Sequence, residues 1–196
     1  MSTMARRMVL RSLIGGGAVV VVCNATIADQ SDDNAMIALA RRAVSREVLG
    51  AADDRLPDSG CAPGGVFVTI EREGRVIGCR GTLTPRFRTR EAEIVAAARA
   101  AAGHDPRYRP LTADDLKDFL VTVTLIDRLA PIDAGQVAGL TPADGLVLTA
   151  GTRTGIVLPW EGKDPATRLH WAYQKAGVVD NTACTLQRMI ARRFRG

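Results

Sequence analysis

Alternation of apolar and polar residues with a period of two marks the strands of this chain. Along the first such segment Val66, Val68 and Ile70 share one face, so we expect that face to be buried. The alternating segments predict a hairpin over residues 65–83 with its turn at 72–75, a lone strand over residues 119–126, and a second hairpin over residues 145–158.

Apolar residues spaced three and four positions apart predict the helices. Thr89 and Asp164 are suitable N-caps, while Gly103 and Gly177 are suitable C-terminal stops. Two hairpins and a lone strand interleaved with helices predict an α+β fold rather than regular strand–helix alternation. The predicted helices cover residues 35–50, 90–102 and 165–176 and a last segment from about residue 182 to 194, with one short turn after Thr112.

The first residues have the composition of an export signal. Arg6, Arg7 and Arg11 precede a run of seventeen uncharged residues, 12–28, which ends in small residues. That run holds three glycines and falls short of the roughly 20 apolar residues of a transmembrane helix, so no permanent membrane span is expected. Both the twin-arginine and the Sec route fit. We therefore predict a signal peptide over residues 1–28, a polar linker over 29–34, a folded domain over 35–196, and a periplasmic or secreted mature protein.

Charge and composition narrow the function classes. The formal net charge of +5 falls to +2 when the three arginines of the signal are removed, and aromatic residues make up only 4% of the chain. Few aromatic side chains are thus available to stack on bases, so a nucleic-acid partner is not expected. The mature chain would keep Cys61, Cys79 and Cys184, an odd number, which leaves open a disulfide between two of them.

Cys79 is the first candidate for chemistry, because glycines flank it in the segment VIGCRG. Strand alternation turns Arg80 to the other face, so that arginine is not expected to activate the thiol. Gly78 and Gly81 indicate a close approach of backbone or ligand. His104 and His170 are the chain's two histidines and hence the possible bases of a Cys–His couple. A small buried structural cysteine is the competing interpretation.

Two further residues are candidates for ligand binding. Arg107 follows Pro106, which fixes the backbone, and its guanidinium could bind a carboxylate or form a structural salt bridge. Trp160 could line a pocket or cover the end of the second hairpin. No metal site is predicted, since the cysteines are 18 and 105 positions apart and no C-x-x-C motif occurs. No phosphate-binding loop is present, and no cofactor is expected.

Six segments follow one another along the chain: Gly65-Val66-Phe67-Val68-Thr69, Gly78-Cys79-Arg80-Gly81-Thr82, Asp105-Pro106-Arg107-Tyr108, Asp144-Gly145-Leu146-Val147, Gly155-Ile156-Val157-Leu158-Pro159 and Lys175-Ala176-Gly177. In this order they resemble the AMMECR-one domain family, known also as protein A of the AmmeMemoRadiSam system, over about residues 35–180. The resemblance implies a two-lobed α+β domain with a mainly antiparallel sheet, flanking helices and a cleft between the lobes.

The chain also departs from that family. Val76-Ile77 stands where the family usually has Leu-Arg, and Trp160 stands where glutamine is common. The predicted export separates this chain from a radical-SAM partner, which belongs in a reducing cytoplasm, so that partnership is not expected.

Two functions remain open on this basis. One is an exported domain that binds a small molecule or peptide in a cleft near Cys79, with Gly78, Gly81, Arg107 and Trp160 at the ligand. Thiol-dependent catalysis, with Cys79 as nucleophile and His104 or His170 as base, could accompany that binding. The alternative is a non-catalytic protein-interaction module in which Cys79 is structural.

Overall fold

The computed structural model describes residues 25–51 and 62–196, which form helices around one antiparallel sheet. The strands are β1 (Val66–Arg72), β2 (Arg75–Thr82), β3 (Leu120–Ile132), β4 (Asp144–Ala150), β5 (Arg153–Val157) and β6 (Thr185–Arg195). The helices are α1 (Ala25–Leu49), α2 (Arg90–Gly103) and α3 (Pro165–Ala176), with short 3-10 helices at Ala113–Leu116 and Ala134–Gly139.

All neighbouring strands are antiparallel, and their order in the sheet is β2-β1-β3-β6-β4-β5. Helices α1 and α2 pack on β1 and β3 around a first apolar core, and α3 packs on β4 and β5 around a second. A third cluster, built on Phe67, Val147, Leu158 and Met189, lies on the other face of the sheet. The predicted α+β fold with two lobes and flanking helices is confirmed.

The predicted hairpins and N-caps are present, and Gly177 is the left-handed C-cap of α3, whereas Gly103 is the last residue of α2 and His104 is its C-cap. In the first hairpin Glu73 and Gly74 both have positive φ, 52° and 74°, as the tightest hairpin turns require. Thr89 accepts a hydrogen bond from the backbone N–H of Ala92 at 3.3 Å, and Asp164 accepts one from Thr167 at 2.9 Å. These local signals work because each cap satisfies backbone donors that the helix itself leaves free.

The predicted helix from about residue 182 is wrong, because this segment is the central strand β6. It pairs with β3 on one side and β4 on the other. Leu186 packs in the second core and Met189 in the third cluster, on opposite faces of the sheet. A strand that is covered on both faces does not alternate, and the spacing of three between these two residues imitates a helix.

Residues 29–34, where a polar linker is predicted, lie within α1, which begins at Ala25. Residues 25–34 contain no glycine or proline, so nothing in them interrupts a helix. Residues 1–24 and Cys61 lie outside the described residues, and signal cleavage after Ala28 stays a prediction. Within residues 25–51 and 62–196, no helix combines the length and the apolar character needed to cross a bilayer.

Candidate functional site

A cavity of about 470 Å³ opens between the two halves of the fold, beside the third apolar cluster. The β1–β2 side contributes Phe67, Cys79, Arg80, Gly81 and, from the loop after α2, Arg107; the other side contributes Thr154, Ile156, Leu158, Glu161, Gln174 and Lys175. We call it the first cavity. Residues from both halves must therefore be in place before it exists.

The backbone of Cys79 is hydrogen-bonded on the side of β2 that faces no other strand. It lies on the edge strand β2 opposite Thr69 of β1. The carboxylate of Asp105 accepts a hydrogen bond from the backbone N–H of Cys79 at 2.9 Å, and Arg107 Nη2 donates to its carbonyl oxygen at 2.6 Å. The Asp-Pro-Arg segment thus satisfies both backbone groups that an edge strand would otherwise leave unpaired.

Asp105 and Arg107 form a tight pair behind this contact. Asp105 Oδ1 accepts from the backbone N–H and the Nε of Arg107, both at 3.0 Å, and Oδ2 accepts from Nη2 at 2.8 Å. Burial alone would raise the pKa of Asp105, but hydrogen bonds from Arg107 and from Cys79 hold that pKa below its ordinary value. The bond to Asp105 in turn raises the pKa of Arg107. The structural salt bridge considered for Arg107 is present, and the same side chain lines the first cavity.

The two glycines beside Cys79 are required by packing. A Cβ on Gly78 would lie 2.2 Å from the carbonyl oxygen of Ala101 in α2, and one on Gly81 would lie 2.1 Å from the carbonyl oxygen of Val66. Gly78 faces α2, on the opposite side of β2 from the thiol, whereas Gly81 lines the first cavity. Only Gly81 of this pair is therefore placed where a ligand could touch it.

The sulfur of Cys79 lies in surroundings that favour the neutral thiol. Burial raises its pKa, and Glu161 raises it further. A hydrogen bond from Thr69 Oγ1 at 3.2 Å and the charges of Arg107 and Lys175 lower it, but the net shift is upward. At neutral pH the side chain is therefore protonated, which is the less nucleophilic form.

Neither histidine lines the first cavity. His104 Nε2 lies 3.2 Å from Glu47 Oε1 of α1, and its side chain is 71% exposed. His170 Nδ1 lies 2.7 Å from the carboxylate of Asp180. The structure thus brings Cys79, Gly81 and Arg107 together, but it places both predicted bases elsewhere, each beside a carboxylate of its own.

Trp160 lies at a smaller, adjoining cavity of about 260 Å³, which we call the second cavity. The two cavities share Leu158 and Glu161. Trp160 has φ of 67°, an uncommon value for a residue with a side chain, and its backbone N–H donates to the carbonyl oxygen of Pro142 at 2.8 Å. Its indole is largely exposed, at 55%.

Most of the cavity wall that α3, β5 and the loop between them supply is not among the site residues that the sequence predicts. Lys175 Nζ and the backbone N–H of Leu158 both donate to Glu161 Oε2, at 2.7 and 2.8 Å. These two bonds fix the Glu161 side chain at the cavity wall. The segment Lys175-Ala176-Gly177 is among those that resemble the family, and it could have identified Lys175. No local pattern marks Glu161 or Thr154, because only the tertiary fold brings them to the cavity.

The remaining cysteine and metal predictions concern other parts of the fold. Cys79 and Cys184 are free, and Cys184 Sγ lies 3.5 Å from the hydroxyl of Tyr173, near α3 rather than at the cleft. Across the described ranges, no three side chains of His, Cys, Asp or Glu lie close enough together to hold a metal ion.

The fold and the cleft together define an α+β protein with two helix-covered cores and a concave site between them. The AMMECR1 family model matches residues 23–196, and the chain belongs to that family. The match includes α1 from its start and the central strand β6, so it reaches beyond the segments that carried the resemblance.

Relatives with known sequences or structures agree with this assignment. The chain is 34% identical over 167 residues to a protein of Aeropyrum pernix, covering 76% of this chain and 71% of that one. It is 31% identical over 141 residues to a protein of Methanothermobacter thermautotrophicus, covering 66% and 72%. The crystal structure of uncharacterised protein PH0010 from Pyrococcus horikoshii matches with a TM-score of 0.71 at 24% identity, covering 82% and 89%. That structure supports the fold, and these relatives' names state no activity.

Proposed function

We propose that this protein binds a small polar molecule, or the end of a peptide, in the first cavity beside Cys79. The observation that carries the proposal is the cavity itself, about 470 Å³ with walls from both halves of the fold. Ligand sites in proteins have volumes of roughly 300–1,000 Å³ and combine apolar walls with a few polar groups. Phe67, Ile156 and Leu158 supply the apolar part here.

The charges at the wall favour a ligand with one negative charge. Arg107 is paired with Asp105, and Lys175 with Glu161 at 2.7 Å. Arg80 makes no ion pair with any described residue and is exposed at the cavity. One positive charge is therefore left without an ion-pair partner in the part of the chain that the structure describes, and a carboxylate or similar anion would complement it.

The surroundings of Cys79 favour binding over thiol-dependent catalysis. A nucleophilic cysteine needs a lowered pKa or a neighbouring base. Here burial raises the pKa of the thiol, and no histidine lines the first cavity. We infer that Cys79 contributes shape and a weak hydrogen-bonding group to the wall. A protein-interaction module is equally compatible with a protonated thiol at Cys79, but it does not require a concave site of this volume.

A cavity-blocking substitution tests the proposal. Thr154 and Thr152 are both exposed residues of the β4–β5 hairpin, but only Thr154 lines the first cavity. We expect native mass spectrometry of protein from its own host to show a bound small molecule in the wild type and in Thr152→Trp, and none in Thr154→Trp. Titration with N-acetyl amino acids and dipeptides, followed by ligand-observed NMR, should reproduce that order.

Two results would contradict the proposal. One is retention of the molecule by Thr154→Trp at wild-type occupancy. The other is absence of both a co-purified molecule and saturable binding of any probe to the wild type, which would favour the interaction-module alternative.

A further inference from the structure

The second cavity has a polar floor that the proposed binding at the first cavity does not use. The floor comes from the sheet face opposite the first core, where cross-strand pairing aligns Thr69 with Thr122, and Thr124 with Arg193. The segment Pro159–Glu161 forms the opposite wall, with Trp160 at its edge. A row of hydroxyl groups ending at a guanidinium therefore lies under a partly exposed indole.

Thr122 is the residue that points to a ligand. It is 3% exposed, it lines the second cavity, and its hydroxyl oxygen is buried without a hydrogen-bond partner in the part of the chain that the structure describes. A buried hydroxyl without a partner costs free energy, and native proteins satisfy nearly all such groups. A bound group that accepts a hydrogen bond from Thr122 would remove this cost.

Arg193 supplies a cation at the same place whose one ion pair is long and which makes no hydrogen bond to a described residue. The two acids of the second cavity each have a cation at 2.7 Å, Arg195 for Glu71 and Lys175 for Glu161. Arg193 Nη2 lies 3.9 Å from Glu71, and its side chain makes no hydrogen bond to any described residue. The N–H groups of its guanidinium are thus hydrogen-bond donors at this cavity that have no acceptor among the described residues.

We propose that the second cavity is a carboxylate-binding subsite, in which Arg193 pairs with the carboxylate and the Thr122 hydroxyl donates a hydrogen bond to it. This inference rests on the proposed function in that the subsite extends the first cavity, with which it shares Leu158 and Glu161. Its volume of about 260 Å³ equals roughly nine water molecules in the liquid, enough for a short carboxylic acid. The ligand class is therefore a small molecule or peptide end with a terminal carboxylate.

Continuity with Cys79 supports the same arrangement. Thr69 lines the second cavity, and its hydroxyl donates to the Cys79 sulfur at 3.2 Å. A ligand whose carboxylate lies on Arg193 would reach past Leu158 and Glu161 toward the thiol. The two cavities then hold two ends of one molecule.

The test uses propionate as probe and Trp160 as reporter. In a Trp171→Phe background Trp160 is the chain's one tryptophan, and it lines the second cavity. We expect propionate to change its fluorescence with a saturable, millimolar dissociation constant, since a fragment of five heavy atoms binds weakly. Propionamide, which has the same shape without the charge, should bind about tenfold more weakly or not at all.

Variants of Arg193 and Thr122 distinguish a role in ligand binding from a role in folding. Arg193→Gln and Thr122→Val should each weaken propionate about tenfold, the effect of losing one hydrogen bond to a charged group. Thr122→Val should not lower the unfolding midpoint in urea, because the hydroxyl it removes has no hydrogen-bond partner among residues 25–51 and 62–196. Arg192→Gln is the matched control: Arg192 neighbours Arg193 but pairs with Asp127, and its propionate affinity should equal the wild type's.

The inference is overturned if propionate gives no saturable change by about 100 mM, if propionamide binds equally well, or if Arg193→Gln retains wild-type affinity. Failure here is separable from failure of the proposed function. Thr154→Trp blocks the first cavity alone, so it should abolish binding of the co-purified molecule while leaving propionate affinity unchanged.

Discussion

Gly78→Ala tests the close approach of α2 to the strand that carries Cys79. The new Cβ would lie 2.2 Å from the carbonyl oxygen of Ala101, whereas ordinary contact begins at 3.4 Å, so strand and helix must separate by about 1.2 Å. The obstacle is backbone, and α2 is itself packed on α1, so no flexible side chain can absorb the change. Overpacking of a core costs typically about 1–3 kcal/mol. We expect about 3 kcal/mol here, because a whole helix must shift.

Urea unfolding, followed by circular dichroism, measures this cost as a lower midpoint at an unchanged slope. Gly135→Ala is the matched control: Gly135 lies in the 3-10 helix Ala134–Gly139, and a Cβ there would meet nothing within 4 Å. Its stability should equal the wild type's or exceed it by up to about 1 kcal/mol. A destabilisation by Gly78→Ala of less than about 1 kcal/mol would refute the reasoning, since it would mean that α2 does not rest on Gly78.

Three further outcomes are expected. With Cys23, Cys61 and Cys184 replaced by serine, the alkylation rate of Cys79 by iodoacetamide should rise with a midpoint above the ordinary thiol value of about 8.5; a midpoint near neutral pH would restore the nucleophile hypothesis. Asp105→Ala should lower the free energy of unfolding by about 2–3 kcal/mol, because it removes the acceptor of the Cys79 N–H and the ion-pair partner of Arg107. Asp114→Ala is the control, since Asp114 forms an exposed ion pair whose loss should cost almost nothing. Equal losses in the two variants would contradict the role of Asp105 at the edge strand. The pKa of Asp105 is depressed by folding, so this contribution is present above its unfolded pKa of about 3.9 and is lost as pH falls toward the folded value; Asp105→Ala should flatten that acid limb of the stability curve. Fractionation of the native host with N-terminal sequencing should find a chain cut after Ala28 outside the cytoplasm; a full-length cytoplasmic chain would exclude export.

How much the sequence predicts depends on how many sides of a segment are covered. In β1, Val66 and Val68 face the first core, while Thr69 and Glu71 on the other face line a cavity, so polar residues still mark the outer face although Phe67 there is buried. In β6 both faces are partly covered, and the pairing with β3 shifts register between Ile126 and Arg128. Alternation is then lost, and local pattern alone favours a helix.

The residues of the candidate site also differ in how far the sequence predicts them. Short motifs around Cys79 and Arg107 predict both as site residues, and the structure places both at one cavity. Chemistry alone makes His104 and His170 candidates, and neither lines that cavity. Thr122 could not be selected from the sequence, since an unpartnered hydroxyl is a property of the folded surroundings rather than of a motif.

The central position of β6 sets an order of events during synthesis. Residues 185–195 join β3 to β4, so the sheet is two separate pieces until this last strand leaves the ribosome. Until then β3 and β4 each expose an unpaired edge, the kind of surface that chaperones bind and that aggregates when left alone. Pairing between segments more than fifty residues apart also forms slowly. Both cavities therefore form only after β6 has paired with β3 and β4.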